Sequence, residues 1–377
     1  MSISPNDFFD FLMMRNVNFY TGVPDSLLKQ FCLCIDDNIP EDRHIIAANE
    51  GNAIALAAGY HLATGKLPLV YMQNSGLGNA VNPLLSLCDP DVYSIPMLLL
   101  IGWRGEPGVK DEPQHIKQGK VQLDLFRALD IPYEIISKDD DQFSTKISNV
   151  IEIAKNENRP VVLLIKKGTF EKYKTEIVQT DVQRMNREEA LEIILENLDE
   201  NAIIVSTTGK TSREIFEIRE KRGQSHEQDF LTVGSMGHCS SVALGIALAK
   251  PRREVVCIDG DGAMLMHLGS LTTIASMRPK NFRHILMNNE VHESVGGQAT
   301  AAKKLDLSTI VEAVGSSKVF KAATPNDLNT NITDFITCFG PSFLEVKIKP
   351  GSRDDLGRPT IKPIDNKSTF MSFVQEK

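Results

Sequence analysis

Two short polar motifs in the second half of the chain have residue types and spacing that could do chemistry. Asp259-Gly260-Asp261-Gly262 ends a predicted strand at 254–258, and Asn288-Asn289 follows a second predicted strand at 284–287. In a parallel sheet both motifs lie at carboxyl strand ends, where open α/β sheets bind ligands. Carboxylate and amide oxygens suit Mg²⁺, and glycines let the backbone approach a diphosphate. The pair therefore indicates a magnesium–diphosphate site. Taken alone, each motif would also be explained by an ordinary turn.

Four further positions have both a functional and a structural interpretation. Glu50 sits at a predicted helix start, where an acid complements the helix dipole. Residues 207–212 end a strand and open a helix, which favours anions, with a solvated loop as the alternative. Met236 on its own indicates a core methionine. His238-Cys239 shows no metal-ligand spacing, and we expect a structural role for it.

Apolar runs alternate with helical patterns along the whole chain. The runs are rich in Val, Ile and Leu, which is typical of parallel sheets covered by helices on both faces. The alternation stops near residue 169, so the polar segment 170–184 predicts a linker between two α/β domains at 1–169 and 185–377. A tail from Pro350 is expected as an extended or partly mobile arm. The predicted strands are 18–20, 45–48, 69–72, 97–101, 133–136 and 161–165, then 202–206, 230–233, 254–258, 284–287 and 343–348.

Composition and charge exclude several classes of protein. The chain has 377 residues, 42% hydrophobic and 24% charged, with a net charge of −8. An acidic total gives no support for binding nucleic acid or an anionic membrane, and no apolar run approaches the ~20 residues of a membrane span. The six cysteines form no C-x-x-C pair, and Cys257 in an apolar run predicts a buried thiol. We expect a soluble protein of a reducing compartment, most simply the cytoplasm.

The chain resembles the thiamine diphosphate-dependent enzymes, and among them the phosphonopyruvate decarboxylases. The Gly-Asp-Gly and Asn-Asn pair is similar to the family signature, and residues 234–237 resemble the loop that supports the bent cofactor. The other segments that carry the resemblance are 22–26, 47–53, 57–60, 103–119, 207–214, 292–298 and 352–360. The resemblance covers nearly the whole chain and includes no middle domain. It implies a pyrimidine-type and a diphosphate-type domain of the thiamine diphosphate-binding fold, each with a parallel sheet.

The resemblance also implies roles for individual residues. Asp261 and Asn289 would bind Mg²⁺ through side-chain oxygens, with the Val291 carbonyl as a third ligand. Glu50 would hydrogen-bond the aminopyrimidine ring and help to remove the thiazolium proton, which requires a raised pKa. Met236 would hold the two cofactor rings close together. The other residues implied in cofactor binding are Thr208, Gly209, Lys210, Thr211, Gly234, Ser235, Gly260, Gly262 and Ala263.

The implied reaction is decarboxylation of 3-phosphonopyruvate to phosphonoacetaldehyde and CO₂, a step of 2-aminoethylphosphonate biosynthesis. Residues 102–119 are expected to form a long loop that covers the site. His115 on that loop is expected to handle a proton or gate the site, and Asp25 is a further catalytic candidate. A phosphonate dianion needs cationic donors, for which the candidates are Arg104, Lys110, Lys117, Lys210, Arg213, His292 and Arg353. Because the superfamily's cofactor bridges two chains, the resemblance implies a homo-oligomer, at least a dimer.

Three alternatives stay open at this point. A decarboxylase of sulfopyruvate or another short anionic 2-keto acid would need a similar set of cations. A carboligase of the same superfamily would condense the decarboxylated product with a second keto acid. A non-catalytic nucleotide-binding protein on a doubly wound fold would need neither Glu50 nor the paired motifs.

Overall fold

A computed structural model describes residues 2–175, 184–315 and 318–376 of the chain. Two compact units divide the chain, Met1–Val178 with Ser294–Gln298, and Gln179–Glu293 with Ala299–Lys377. Each unit contains one six-stranded parallel sheet with helices packed on both faces. The predicted α/β class with two parallel sheets is therefore confirmed. Within the described residues, no helix has both the length and the apolar character needed to cross a membrane.

The first sheet has the strand order β2-β1-β3-β4-β6-β5. Its strands are β1 Tyr20–Gly22, β2 His44–Ile46, β3 Leu69–Gln73, β4 Leu98–Gly102, β5 Tyr133–Ile136 and β6 Val161–Ile165. Its helices are α1 Pro5–Met14, α2 Lys29–Asn38, α3 Glu50–Thr64, α4 Leu77–Pro83, α5 Pro113–Ala128 and α6 Phe143–Glu157.

Burial on both faces explains the continuous apolar runs of the central strands. All five residues of β4 are buried, and they alternate between two core clusters. Leu98 and Leu100 pack into one cluster, whereas Leu99 and Ile101 pack into the other. Full burial of such a side chain contributes about 1.5–3 kcal/mol. Packing on both faces thus fixes the ends of the strands, and with them the positions of the polar residues that follow.

The second sheet repeats the topology of the first. Its order is β8-β7-β9-β10-β12-β11, the same arrangement of first to sixth strands as in the first unit. The strands are β7 Ile203–Ser206, β8 Asp229–Leu231, β9 Val255–Gly260, β10 Phe282–Asn288, β11 Lys318–Ala322 and β12 Ser342–Lys347. The helices are α7 Arg187–Asn197, α8 Lys210–Lys221, α9 Cys239–Ala249, α10 Asp261–Met266, α11 Ser270–Met277, α12 Leu307–Val314, α13 Pro325–Thr337 and α14 Pro363–Glu376.

Helix ends follow local sequence signals. The Asn49 side chain accepts a hydrogen bond from the N–H of Asn52 and caps α3. The same helix ends at Gly65, whose φ of 67° gives the left-handed conformation that glycine adopts freely. The sequence pattern predicts a helix over 51–63 that Thr64-Gly65 closes, and the structure confirms it.

The structure corrects two sequence expectations in the second unit. The tail is not simply an extended arm, because Pro363–Glu376 forms α14, in which Phe370 and Phe373 are 6% and 5% exposed. The edge strand β11 was missed because Lys318 and Lys321 interrupt its apolar pattern. Charged residues on an edge strand discourage pairing with another chain.

The start of the predicted linker packs against the first unit. Phe170 is 8% exposed in a core cluster of that unit, and it pairs with Ile3 through an isolated parallel bridge. Residues 176–183 of the linker lie outside the described residues. The limits 1–169, 170–184 and 185–377 therefore stay a prediction.

Candidate active site

The two polar motifs of the second unit lie side by side at the carboxyl ends of two central strands of its sheet. β9 and β10 are hydrogen-bonded neighbours, with Gly260 opposite Met287, so Asp261 and Asn289 follow adjacent strand ends. Both residues are buried, at 3% and 6% exposure. The backbone N–H of Asn289 hydrogen-bonds the Asp261 carboxylate. The structure thus brings together the two residues that the sequence proposes as metal ligands.

The carboxylate of Asp261 is buried away from solvent. Burial raises its pKa to about 6, although the Thr300 hydroxyl and the backbone N–H groups of Gly262 and Asn289 act in the opposite direction. Thr300 donates a hydrogen bond to Oδ2. A neighbouring cation would favour the ionised carboxylate, so this environment suits a metal ligand.

A buried ionic network fixes the orientation of Asn289. Its Nδ2 donates to Oε2 of Glu293 over 2.9 Å, which leaves Oδ1 as the acceptor, at 3.1 Å from the N–H of Val291. Glu293 in turn accepts from Arg187 at 2.8 Å and from Lys210 at 2.7 Å. Burial alone would raise the pKa of Glu293, but these two cations lower it. The network therefore keeps Glu293 charged, and Glu293 holds the Nδ2 end of the Asn289 amide toward itself.

Arg187 belongs to the same network through a second acid. Its Nε and Nη2 donate to the two carboxylate oxygens of Glu214, at 2.7 and 3.0 Å, in a buried two-point pair. Such forked pairs fix geometry as well as charge.

Two backbone turns with left-handed residues lie after β7 and β8. Gly209 has a φ of 105°, and Gly234, Ser235 and Gly237 have φ values of 75°, 47° and 87°. The N–H of Gly234 donates to Oγ1 of Thr208 over 2.9 Å, which ties the two turns together. Because β7 and β8 are neighbours in the sheet, the cofactor-binding candidates at 208–211 and 234–236 lie at one edge. Thr211 is buried in the first turn of α8.

Gly262 keeps a gap open between two of the candidate residues. A Cβ at this position would lie 3.2 Å from the His292 ring and 3.3 Å from Cε of Met236, tighter than most side-chain contacts. Gly260 precedes α10, and Ala263 within that helix is 3% exposed. Burial lowers the pKa of His292 to about 4, so its imidazole is neutral near pH 7.

In the first unit, Glu50 is a buried acid at the start of α3. It is 4% exposed, and its Oε2 accepts a hydrogen bond from Nδ2 of Asn79 over 2.8 Å. Burial raises its pKa above the ordinary value, against the effect of Asn79. A Cβ at Gly76 would overlap Oε1, so only glycine leaves room for this carboxyl.

Asp25, Arg104 and His115 form a second group in the first unit. Asp25 is fully buried, its Oδ1 has no hydrogen-bond partner among the described residues, and burial raises its pKa to about 6. Burial also lowers the pKa of His115 to about 4, and the nearby positive charge of Arg104 adds to this effect. Arg104 Nε donates to Asp111 over 2.8 Å, and its Nη1 donates to Ser26 over 2.9 Å.

The expected loop over 102–119 is shorter than predicted. α5 begins at Pro113, a residue that fits the first helical turn, so His115 and Lys117 lie on a helix. His115 faces inward at 8% exposure, whereas Lys110 and Lys117 are exposed. The expectation failed because the polar, glycine-containing sequence hid the helix start.

The other cationic candidates differ in how their charge is matched. Arg353 lies among the acids Glu188, Glu217 and Asp355. Lys210 pairs with Glu293. The guanidinium of partly buried Arg213, in contrast, has no hydrogen bond or ion pair among the described residues, and burial lowers its pKa.

Sequence reasoning missed several residues that position the candidates. Asn79 and Gly76 contact Glu50, Thr300 contacts Asp261, and Glu293 contacts Asn289. Asn79 and Thr300 lie 29 and 39 residues from their partners, so no local pattern marks them. Glu293 carried a signal, since an acid four residues after Asn289 lies within reach of that amide.

The donor chemistry fits the cofactor and metal that the sequence implies. Asp261 and Asn289 offer hard oxygens in a buried place, as Mg²⁺ requires. Glu50 offers a carboxyl with a raised pKa, which suits a group that shares a proton.

Comparisons with known proteins identify the family. Residues 6–125 match the family "Thiamine pyrophosphate enzyme, N-terminal TPP binding domain", and residues 207–346 match "Thiamine pyrophosphate enzyme, C-terminal TPP binding domain". The "Phosphonopyruvate decarboxylase" of Streptomyces viridochromogenes is 36% identical over 95% of this chain and 91% of its own length. The protein of the same name from Streptomyces hygroscopicus is 36% identical over 99% and 94%.

A third relative is named for a different substrate. The "Sulfopyruvate decarboxylase" of Methanosarcina acetivorans is 28% identical over 91% of this chain and 90% of its own length. The higher identity to the phosphonopyruvate decarboxylases, over nearly full length on both sides, decides the assignment. The chain belongs to the thiamine pyrophosphate enzymes, in the phosphonopyruvate decarboxylase family.

Proposed function

We propose that this protein catalyses the decarboxylation of 3-phosphonopyruvate to phosphonoacetaldehyde and CO₂, with thiamine diphosphate and Mg²⁺. The observation that carries the proposal is the buried Glu50 carboxyl with its raised pKa. A nucleotide-binding protein would gain nothing from this costly burial, whereas proton transfer during cofactor activation requires it. The Streptomyces relatives named as phosphonopyruvate decarboxylases support the choice of substrate.

The residues of the second unit are assigned to cofactor and metal binding. Asp261, Asn289 and the Val291 carbonyl would hold Mg²⁺, and the turns at 208–211 and 234–236 would hold the cofactor together with residues 260–263. Glu293 positions Asn289, because it accepts from Nδ2 and leaves Oδ1 available. When bound, thiamine diphosphate supplies the carbon nucleophile and the electron sink for CO₂ loss. Glu50 holds or releases a proton at its carboxyl oxygens.

Arg213 is the strongest candidate for the phosphonate. A partly buried guanidinium without a protein partner among the described residues is ready to accept an anionic ligand. Arg104 is less suited, because Asp111 already neutralises it through two nitrogens. Lys110, Lys117 and His292 stay secondary candidates. Asp25 and His115 are proposed to handle protons during turnover. Burial raises the pKa of Asp25 to about 6, so this acid can take up a proton, and it lowers the pKa of His115 to about 4, so the imidazole is neutral.

We further propose a homo-oligomer, at least a dimer, in the cytoplasm. α3 exposes Ala55, Leu56, Gly59 and Leu62, and α9 exposes Val242, Gly245 and Leu248 on helices that are apolar nearly all round. Helices of this kind are normally buried, and the small residues allow close approach of a second copy. Sedimentation equilibrium should give a mass of at least twice the 41.8 kDa chain. A monomer at micromolar concentration would contradict this.

The substrate assignment predicts a selective effect at Arg213. Arg213→Gln should lower kcat/KM for phosphonopyruvate by about 10–100-fold, because a charge-assisted hydrogen bond is worth about 1.5–3 kcal/mol. Turnover of pyruvate, which lacks the second anion, should change little. CO₂ release and a coupled aldehyde assay measure both.

The wild-type protein sets the reference for this test. It should release CO₂ from phosphonopyruvate faster than from sulfopyruvate or pyruvate, and only with cofactor present. Faster turnover of sulfopyruvate would establish the alternative specificity. A condensed product in phosphorus NMR would indicate a carboligase, and equal loss on all acids in the variant would exclude a substrate-binding role for Arg213.

The proton-transfer role predicts a kinetic defect in Glu50→Gln. Proton exchange at the thiazolium ring should slow by about 10²–10⁴-fold, because the amide cannot donate and accept the proton as the carboxyl does. Deuterium exchange followed by NMR measures this rate. Cofactor affinity should stay within a few-fold of wild type. Exchange near the wild-type rate would remove Glu50 from the mechanism, and Glu312→Gln, an exposed acid on α12, is the matched control.

The metal assignment predicts weak Mg²⁺ binding in Asp261→Ala and in Asn289→Ala. Even changes to residues that only support metal ligands cost about 10–100-fold in affinity, so loss of a ligand should cost at least this much. Calorimetric titration of Mg²⁺ in the presence of thiamine diphosphate measures the effect. Asp306→Asn, at an exposed helix cap, should leave affinity unchanged. Unaltered Mg²⁺ affinity in both alanine variants would refute the site.

A further inference from the structure

A second group of metal-ligand side chains lies inside the second unit, apart from the proposed Mg²⁺ ligands. Cys239 begins α9, Cys257 and Asp259 lie on β9, and His284 lies on β10. Their exposures are 2%, 0%, 1% and 3%. Within the described part of the chain, Cys239, Cys257 and Asp259 are the group whose ligand atoms all lie within 4.8 Å of one another.

The topology of the sheet brings these four side chains to one face. Cys257 and Asp259 are two residues apart on β9, so they point to the same side of the sheet. His284 is the register partner of Cys257 on the neighbouring strand. Cys239 and Cys257 also belong to one core cluster. α9 and β9 therefore bring two thiols and a carboxylate together, and His284 on the neighbouring strand adds an imidazole on the same side of the sheet, next to Asp259.

Two ligand–ligand distances match the edges of a tetrahedral zinc site. The two Sγ atoms are 3.7 Å apart. Zinc–sulfur bonds of about 2.3 Å at tetrahedral angles place two sulfurs about 3.8 Å apart. His284 Nε2 and Asp259 Oδ2 are 3.5 Å apart. Zinc–nitrogen and zinc–oxygen bonds of about 2.0–2.2 Å give an edge of about 3.4 Å.

Among the described residues, two of the four ligand atoms are buried without a hydrogen-bond partner. These atoms are Asp259 Oδ2 and His284 Nε2, whose separation is too long for a good hydrogen bond. The other carboxylate oxygen of Asp259 accepts from the N–H of Gly260 over 2.9 Å. An unsatisfied buried polar atom costs about 1–3 kcal/mol, and an unpaired charge costs more. Both open atoms face the same side as the sulfur pair, so one cation would satisfy all of them.

We propose that Cys239, Cys257, Asp259 and His284 form a closed zinc-binding site in the interior of the second unit. Two thiolates, a carboxylate and an imidazole fill the four positions of Zn²⁺, and the thiol protons leave to solvent on binding. With no open position, the metal would be structural. It would tie the start of α9, which follows the turn at 234–237, to β9 and β10, the strands that precede Asp261 and Asn289.

The site is tested on untagged wild-type protein purified with reductant. After incubation with Zn²⁺ and gel filtration in Mg²⁺ buffer, elemental analysis should find about one zinc per chain. After replacement by Co²⁺, the absorption spectrum should show the thiolate-to-metal charge-transfer band and the intense d–d bands of a tetrahedral site. Neither measurement depends on a variant that has to fold or on decarboxylase activity.

Variants then locate the metal. Cys239→Ala and Cys257→Ser should each lose the zinc and the charge-transfer band. Cys88→Ala, at a fully buried thiol of the first unit, should keep both. Asp261→Ala should also keep both, which separates this site from the Mg²⁺ ligands and from the proposed reaction.

Three results would overturn the proposal. One is wild-type protein that holds neither Zn²⁺ nor Co²⁺ under reducing conditions. A second is a Cys239→Ala variant that binds Co²⁺ with the wild-type spectrum. The third is a disulfide between Cys239 and Cys257 in the reduced preparation, identified by peptide mass, because it would show that the sulfur pair forms a bond and not a metal edge.

Discussion

The contact between the Asn289 amide and the Glu293 carboxylate is the constraint on which the candidate site depends. An amide has two chemically different ends, and only the oxygen can ligate a hard cation. By accepting from Nδ2, Glu293 fixes which end is the oxygen, and Oδ1 accepts one hydrogen bond, from the N–H of Val291. Arg187 and Lys210 keep that acid charged in a partly buried place. The geometry of one proposed metal ligand thus rests on an ionic network whose members come from α7, α8 and the segment after β10.

The two units use one topology for different chemistry. Each places its polar residues at carboxyl strand ends, and each buries a carboxyl whose pKa is raised by desolvation. In the first unit Asn79 supplies a neutral partner to Glu50, so this acid is suited to hold a proton. In the second unit backbone N–H groups and Thr300 surround Asp261, and a cation would favour its ionised form. The fold positions each carboxyl at a strand end. A few residues distant in sequence then determine whether that carboxyl suits a proton or a metal ion.

The sequence predicted the strands and the family motifs well because both leave local signals. Strands such as β4 and β6 are buried on both faces, so their positions follow from continuous apolar runs. The start of α5 and the edge strand β11 escaped because polar and charged residues interrupt their patterns. Contacts such as Asn79 with Glu50 depend on how separate elements pack, which no local spacing records. The His238-Cys239 dipeptide illustrates the same limit, since the neighbours of Cys239 are distant in sequence.

The close approach of Gly76 to the Glu50 carboxyl has a consequence for mutagenesis. Any other residue at position 76 would place its Cβ against Oε1, whatever the rest of the side chain. A library randomised at that codon should therefore return glycine almost alone when selected for growth that depends on the enzyme. Saturation at Gly78, where an added Cβ meets nothing within 4 Å, should tolerate a far wider range of replacements.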